Sequence, residues 1–176
     1  MVAAVESGFG PLDMLVTSAG IAAAEPHTEM TFESWRRMLS VNLDGTYLPV
    51  MAVKDGMIER DYGRIVCVAS IAGLRARGRM ITYSTSKAGV IAFSRSCAEA
   101  FGPAIRVNCV APGLIETDMG ASAGAETIQR MADEAFLKRI GQPEEIAQTV
   151  LFLLSERSSF TTGQTYVADG GRVTLP

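Results

Sequence analysis

The chain has 176 residues, a formal net charge of −3, 48% hydrophobic and 20% charged residues, which is enough material for one sizeable core. The acidic balance argues against nucleic acid or an anionic membrane surface as the main partner, since both select basic faces. No stretch approaches the roughly 18 consecutive apolar residues of a membrane span, and Met1 to Gly10 has no basic flank followed by an apolar run, so it does not read as a signal peptide.

In chain order, four short apolar runs alternate with longer amphipathic ones. Leu12 to Thr17 reads as a strand ending in the turn Ser18-Ala19-Gly20. Thr31 is a plausible N-cap for a helix from Phe32 to about Asp55. Arg64 to Ala69 is a second strand that ends at Ser70, and a long helix from Ile81 to Phe101 stops at Gly102-Pro103. Ile105 to Ala111 is a third strand, stopped by Pro112-Gly113. Gly120 to Gly141 interrupts the rhythm with a Gly/Ala/Ser-rich stretch and an amphipathic segment, Thr127 to Ile140. Pro143 sits well in the first turn of a helix running to about Ser155, and Gln164 to Ala168 is a short fourth strand closed by Asp169-Gly170-Gly171. Near-continuous β-branched runs suit strands covered on both faces. Strand-helix alternation implies parallel strands with crossover helices, an α/β layered fold in a single domain spanning residues 1–176.

Cys67, Cys97 and Cys109 are isolated in apolar runs without a Cys-x-x-Cys, which predicts reduced core thiols and fits a cytoplasmic compartment. His27 is the only histidine and has no second ligand at metal-binding spacing, so no metal site and no Ser-His triad are expected. Arg75, Arg77 and Arg79 cluster between the second strand and the long helix and read as a solvated loop.

Ligands of open parallel sheets bind beyond the carboxyl ends of the strands. Ser18-Ala19-Gly20, Ser70 and Pro112-Gly113 all stand at such ends, beside the helix that carries Tyr83 and Lys87. Tyr83 and Lys87 are four residues apart, so they share a helix face. A neighbouring cation favours the phenolate, and the pair is therefore expected to bring the tyrosine from its ordinary pKa of about 10 towards the working range of an acid-base catalyst. Taken singly, Asn42 reads as a helix-surface or kink residue, Ser70 as an ordinary strand-end serine and Thr117 as an N-cap.

Together these residues resemble the classical short-chain dehydrogenase/reductase family, within it the bacterial β-ketoacyl reductase-like branch. Tyr83-Ser-Thr-Ser-Lys87 matches the family's Tyr-x-x-x-Lys, Ser70 stands at the catalytic-serine spacing, and Asn42 in Val-Asn-Leu-Asp-Gly matches the fourth active-site residue. Arg106-Val-Asn-Cys-Val-Ala-Pro-Gly113 with Leu-Ile-Glu-Thr117, then Phe160-Thr-Thr-Gly-Gln and Asp169-Gly-Gly171, match the later family segments in order, so the likeness runs from about Gly10 to Gly171. The resemblance implies an NAD- or NADP-dependent oxidoreductase for an alcohol/carbonyl pair, acting in the cytoplasm as a homo-oligomer. It implies that Tyr83 transfers the proton, Ser70 polarises the carbonyl oxygen, and Lys87 lowers the tyrosine pKa and holds the nicotinamide ribose. It further implies that Asn42 positions a water leading from Lys87 to solvent. Ser18, Ala19, Gly20, Pro112, Gly113, Ile115 and Thr117 are implied as cofactor contacts, and Gly120 to Ile140 as a mobile lid that sets substrate choice.

Two features depart from the family pattern. Thr17-Ser18-Ala19-Gly20 replaces the usual Asn-Asn-Ala-Gly, keeping the small residues but not the amides. The sequence also has no Gly-x-x-x-Gly-x-Gly, the turn whose helix holds the pyrophosphate. By resemblance, about 70 residues with the first three strands of a Rossmann-like doubly wound sheet are absent, including the strand end that selects NAD or NADP. The chain is therefore expected to be a truncated, catalytic half, with Leu12 to Thr17 as an uncovered edge strand.

Overall fold

The computed structural model of the chain describes residues 1–174. Strands β1 (Met14–Thr17), β2 (Gly63–Val68), β3 (Ile105–Pro112) and β4 (Thr165–Ala168) form one parallel sheet in the order β1-β2-β3-β4. Val16 lies opposite Val66, Val66 opposite Asn108, and Val110 opposite Tyr166. All eight residues of β3 are buried, as a central strand covered on both faces requires.

Helices cover both faces, the doubly wound arrangement of an α/β fold. On one face, α3 (Gly45–Glu59) and α4 (Ile81–Phe101) place Val50, Val53, Met57, Val90 and Ile91 against Ile65, Cys67, Val107 and Cys109. On the other, α7 (Pro143–Leu154) lays Ile146, Val150 and Leu153 over Val66 and Val110. Alternate residues of β2 and β3 thus feed two separate apolar layers. All three cysteines are buried free thiols.

β1 differs from its neighbours. Leu15 packs against the α3/α4 layer, whereas Met14 and Val16 point the other way and are 48% and 41% exposed. Among the described residues β1 pairs with β2 alone. The helix α1 (Val2–Phe9) contributes Val2 to the α3/α4 side and leaves the opposite face of β1 open.

Local signals explain several helix ends. Thr31 Oγ1 accepts from the Ser34 amide at 3.1 Å while the Ser34 hydroxyl accepts from the Thr31 amide, closing a capping box at the start of α2 (Phe32–Leu39). Pro143 occupies the first turn of α7, where its missing N–H costs no hydrogen bond. Two helical boundaries differ from expectation. The segment expected as one helix from Phe32 to about Asp55 is broken at Ser40–Asp44 by a π-helical turn centred on Asn42, and α3 continues to Glu59. The segment Thr127 to Ile140 is helical only within α6 (Ala125–Glu134). Its apolar continuation, Ala135 to Leu137, leaves the helix to pack on the end of β4: the Leu137 amide donates to Gly170 O at 3.1 Å, and the Phe136 ring lies against Gly171.

Candidate active site

The turn after β1 and the short 3₁₀ turn Ile71–Gly73 after β2 converge on the N-terminal half of α4, and the turn after β3 lies against the end of β4. Close approaches of backbone hold them there. A Cβ on Gly73 would stand 2.7 Å from the Ala88 amide nitrogen and 2.8 Å from the Lys87 carbonyl carbon, so the turn that carries Ser70 is pressed onto the backbone of α4. A Cβ on Gly20 would lie 3.2 Å from Asn42 Oδ1 and 3.4 Å from Lys87 Nζ. A Cβ on Gly113 would meet Asp169 at 2.8 Å, which fixes the Pro112-Gly113 turn against the end of β4.

Asn42 is fully buried. Its Oδ1 accepts from the Ile21 amide at 2.8 Å, and its Nδ2 donates to Ile21 O and to Ser86 Oγ, each at 3.0 Å. The Ser86 hydroxyl in turn donates to Tyr83 O at 2.7 Å. Thr46 Oγ1 donates to the Asn42 carbonyl at 2.8 Å, satisfying an oxygen that the π-helical turn displaces from regular bonding. The π-helical turn therefore delivers one amide side chain that joins the loop after β1 to the helix of Tyr83.

Ser70 is half-buried and caps its own 3₁₀ turn, its Oγ accepting from the Ala72 amide at 3.1 Å. Tyr83 and Lys87 are both buried on one face of α4. Burial pushes the Tyr83 phenol above its usual range, and the nearby Ser70 hydroxyl partly offsets this. Burial also holds the Lys87 ammonium below its usual range, offset by the nearby Cys109 and Cys67 thiols. Lys87 Nζ donates to Val68 O at 3.0 Å and lies 5.9 Å from the centre of the Tyr83 ring. The expectation that Lys87 lowers the tyrosine pKa is not met in this state. The ammonium is drawn to a β2 carbonyl, and desolvation of the phenol is the larger effect.

After β3, Gly141 bonds to the main chain of Leu114 (3.0 Å) and Glu116 (2.9 Å) in a parallel bridge. In such a bridge the amide groups of the intervening residue, Ile115, face the other way. Thr117 Oγ1 caps α5 (Asp118–Ala121), accepting from the Gly120 amide at 3.1 Å, and lies 3.4 Å from Ile115 O. Ser18 and Ala19 are exposed and Gly20 is half-buried. Among the described residues, no group of three or more potential metal ligands occurs, and no helix is long and apolar enough to cross a membrane.

The sequence reading did not single out Ser86, Gly73 or Ile21. Ser86 had one available signal: it directly precedes Lys87 and falls three residues after Tyr83, on the same helix face.

The sequence profile of a family described as enoyl-(acyl carrier protein) reductase matches residues 1–172. The chain belongs to the short-chain dehydrogenase/reductase family. It is 41% identical over 161 residues to a 3-oxoacyl-(acyl-carrier-protein) reductase of Aquifex aeolicus, covering 91% of this chain and 65% of that protein. The fold superposes with a TM-score of 0.93 on a gluconate 5-dehydrogenase from Burkholderia cenocepacia solved with NADP and tartrate, at 29% identity and over 97% of this chain and 68% of the other. It superposes with a TM-score of 0.86 on a 3-oxoacyl-(acyl-carrier protein) reductase from Brucella melitensis with bound NAD, at 35% identity and over 98% and 67% of the two chains. The chain thus spans about two thirds of the length of these relatives.

The residues present fit the nicotinamide end of such a cofactor. Lys87 uses one of its three donors on Val68 O, Gly20 leaves room beside its ammonium, and the main chain of Ile115 is turned from its bridge. The sequence holds no Gly-x-x-x-Gly-x-Gly, the turn from which a helix N-terminus binds pyrophosphate in doubly wound folds.

Proposed function

We propose that the chain carries the proton-transfer half of an NAD(P)-dependent oxidoreductase that interconverts an alcohol and a carbonyl. The observation behind this reading is the burial of Tyr83 and Lys87 on one face of α4, with the Ser70 hydroxyl near enough to the phenol to influence its acidity. A nicotinamide, when bound, supplies or takes up the hydride.

The residues act as follows. The raised pKa keeps the Tyr83 phenol protonated near neutral pH, the form that donates a proton to a carbonyl oxygen during reduction. The Ser70 hydroxyl donates to the same oxygen as negative charge develops on it. Lys87 turns its spare donors to the ribose hydroxyls, and its charge stabilises the phenolate left after proton transfer. Ile115 main chain and Thr117 hold the carboxamide, with the Pro112-Gly113 turn setting their position; Ser18, Ala19 and Gly20 border the ribose. Asn42 is a positioning residue: all its side-chain bonds go to protein groups, and they fix the loop after β1 relative to Tyr83. A water held at this junction gives Lys87 its route to solvent. The active assembly is a homo-oligomer, and the substrate is a small alcohol/carbonyl compound.

A second reading rests on the share of the relatives that the chain covers, 65% for the Aquifex protein. In that reading the chain by itself is catalytically silent for want of a phosphate cradle. Titration with reduced NAD and NADP, followed by nicotinamide fluorescence, decides between them. Saturable binding and turnover of a carbonyl substrate support the first reading. No binding by this chain, with binding restored when a Gly-rich strand-turn-helix is supplied upstream, supports the second.

A further inference from the structure

The loop after β1, the helix α2 and the segment leading into α4 enclose a cavity of about 380 Å³. Three hydrogen bonds close its walls on one another. The Glu25 amide donates to Arg79 O at 2.8 Å, joining the loop to the segment before α4. The Ser34 hydroxyl donates to Glu25 Oε2 at 3.0 Å, joining α2 to the same loop. The Thr82 hydroxyl donates to Met30 Sδ at 3.3 Å. Ser70, Tyr83 and Lys87 do not line this space, so it lies apart from the proposed reacting groups.

The lining changes in character from floor to mouth. Ile21, Met38 and Met80 form the floor, and they pack with Tyr83 and Ala72 in one buried cluster. Met30 adds a third thioether. Unbranched, polarisable methionines adapt readily to irregular apolar ligands. Arg37 and Arg79 line the same cavity from α2 and from the segment before α4, and both residues are exposed. Neither guanidinium forms an ion pair among the described residues. With the single carboxylate of Glu25 held by Ser34, the mouth carries net positive charge. An apolar floor beneath two unengaged guanidiniums is complementary to an aliphatic chain that ends in a carboxylate. The volume falls at the lower end of the range for small-molecule sites, about 300–1,000 Å³.

The same lining reaches the Asn42 junction. Ile21 bonds to Asn42 through both its N–H and its C=O, and Met38 Sδ accepts from Asn42 Nδ2 at 3.2 Å. An occupant resting on Ile21 and Met38 therefore bears on the residue that ties the loop after β1 to Ser86 and the helix of Tyr83. We propose that this cavity is a second ligand site, distinct from the carbonyl-reducing centre, for an aliphatic carboxylate of medium chain length, and that its occupant stiffens the Asn42 junction. Any effect on catalysis rests on the oxidoreductase reading, but the binding itself requires neither nicotinamide nor turnover.

The test is calorimetric titration of the chain with hexanoate in low-salt buffer, with acetate and 1-hexanol as controls. Hexanoate should bind saturably, acetate should not, and 1-hexanol should bind about tenfold more weakly than hexanoate for want of the charge. Arg37→Gln and Arg79→Gln should each weaken hexanoate binding about threefold to tenfold. Arg36→Gln, whose guanidinium lies over the Phe32 ring instead, should change it by less than about twofold. At saturation, hexanoate should slow hydrogen exchange of the Ile21 amide, followed by NMR. Tyr83→Phe should leave binding unchanged, so a failed nicotinamide titration and a failed hexanoate titration are separate results. The site is refuted if hexanoate binding does not saturate, or if the parent, Arg37→Gln and Arg79→Gln chains bind it equally, as adsorption on the uncovered face of β1 would give. Unchanged Ile21 exchange in the saturated chain refutes the action on Asn42.

Discussion

Asn42 Nδ2 and Ser86 Oγ, 44 positions apart in sequence, meet at 3.0 Å in the buried centre of the site. Through this bond the loop after β1, held at Ile21 by both its N–H and its C=O, is tied to the first turns of α4. Asn42→Ala would leave the half-buried Ile21 amide and carbonyl without their partner and the buried Ser86 oxygen without its donor, while the Ser86 hydroxyl keeps its bond to Tyr83 O. Each buried polar group left unpaired costs about 1–3 kcal/mol, so a loss of about 2–4 kcal/mol is expected in urea denaturation. Asn42→Asp keeps the acceptor for the Ile21 amide but loses both Nδ2 donors, and should be destabilising as well. A variant as stable as the parent would show that the junction does not hold the loop.

Tyr83→Phe tests the proton donor. The substitution removes the hydroxyl and keeps the ring that packs with Met38 and Ala72. The phenol oxygen makes no hydrogen bond to another protein group among the described residues, and a single hydrogen bond is worth only about 1 kcal/mol, so the unfolding midpoint should move little. Removing a general acid costs about 10²–10⁴-fold in rate. Carbonyl reduction, followed by nicotinamide absorbance in any form of the chain that turns over, should therefore fall by at least about a hundredfold. Near-parent turnover would refute the acid-base role.

The strands were legible because each is a short β-branched run closed by small or turn-forming residues; the observed Gly63–Val68 and Ile105–Pro112 depart from the sequence reading by a single residue at one or both ends. The convergence of Ser70, Tyr83 and Lys87 was legible from helix periodicity and the strand-end rule. Three other features depend on contacts that no local pattern records. The π-helical turn at Ser40–Asp44 serves the fit of Asn42 to Ile21 and Ser86, residues distant in sequence. The end of α6 at Glu134 goes with the burial of Ala135 and the bond from the Leu137 amide to Gly170 O, a partner distant in sequence. The direction of the Tyr83 pKa depends on burial and on where Lys87 spends its hydrogen bond, and helix spacing speaks to neither.

The core thiols give the fold a pH dependence. Cys67 and Cys109 sit side by side in β2 and β3, and burial pushes their pKa values up to about 12 and about 11, from an ordinary value of 9.0. Above about pH 9 the unfolded chain releases these protons while the folded chain keeps them. The folded state then binds more protons than the unfolded one, so stability falls as pH rises. With both thiols contributing, the slope approaches about 2–3 kcal/mol per pH unit between about pH 9 and 11. Urea denaturation across that range should show the decline, and Cys67→Ala should reduce its slope. A parent slope unchanged by that substitution would exclude the Cys67 thiol as a source.

The open side of β1 sets the association behaviour. Met14 and Val16 present apolar side chains on a face that no helix covers among the described residues, on a strand paired along one edge only. An apolar strand with a free edge invites pairing with another chain, and apolar area exposed in this way is recovered at about 25 cal/mol per Å² when a second copy covers it. Val16→Lys places a charge on that face without disturbing the α3/α4 layer, since the inward residue there is Leu15. Exposed substitutions of this kind usually change stability by no more than about 0.5 kcal/mol. The expected outcome is therefore a Val16→Lys chain with the parent's unfolding midpoint but a lower weight-average mass in sedimentation at high concentration. Equal self-association of the two chains, at equal stability, would show that β1 is not the adhesive edge.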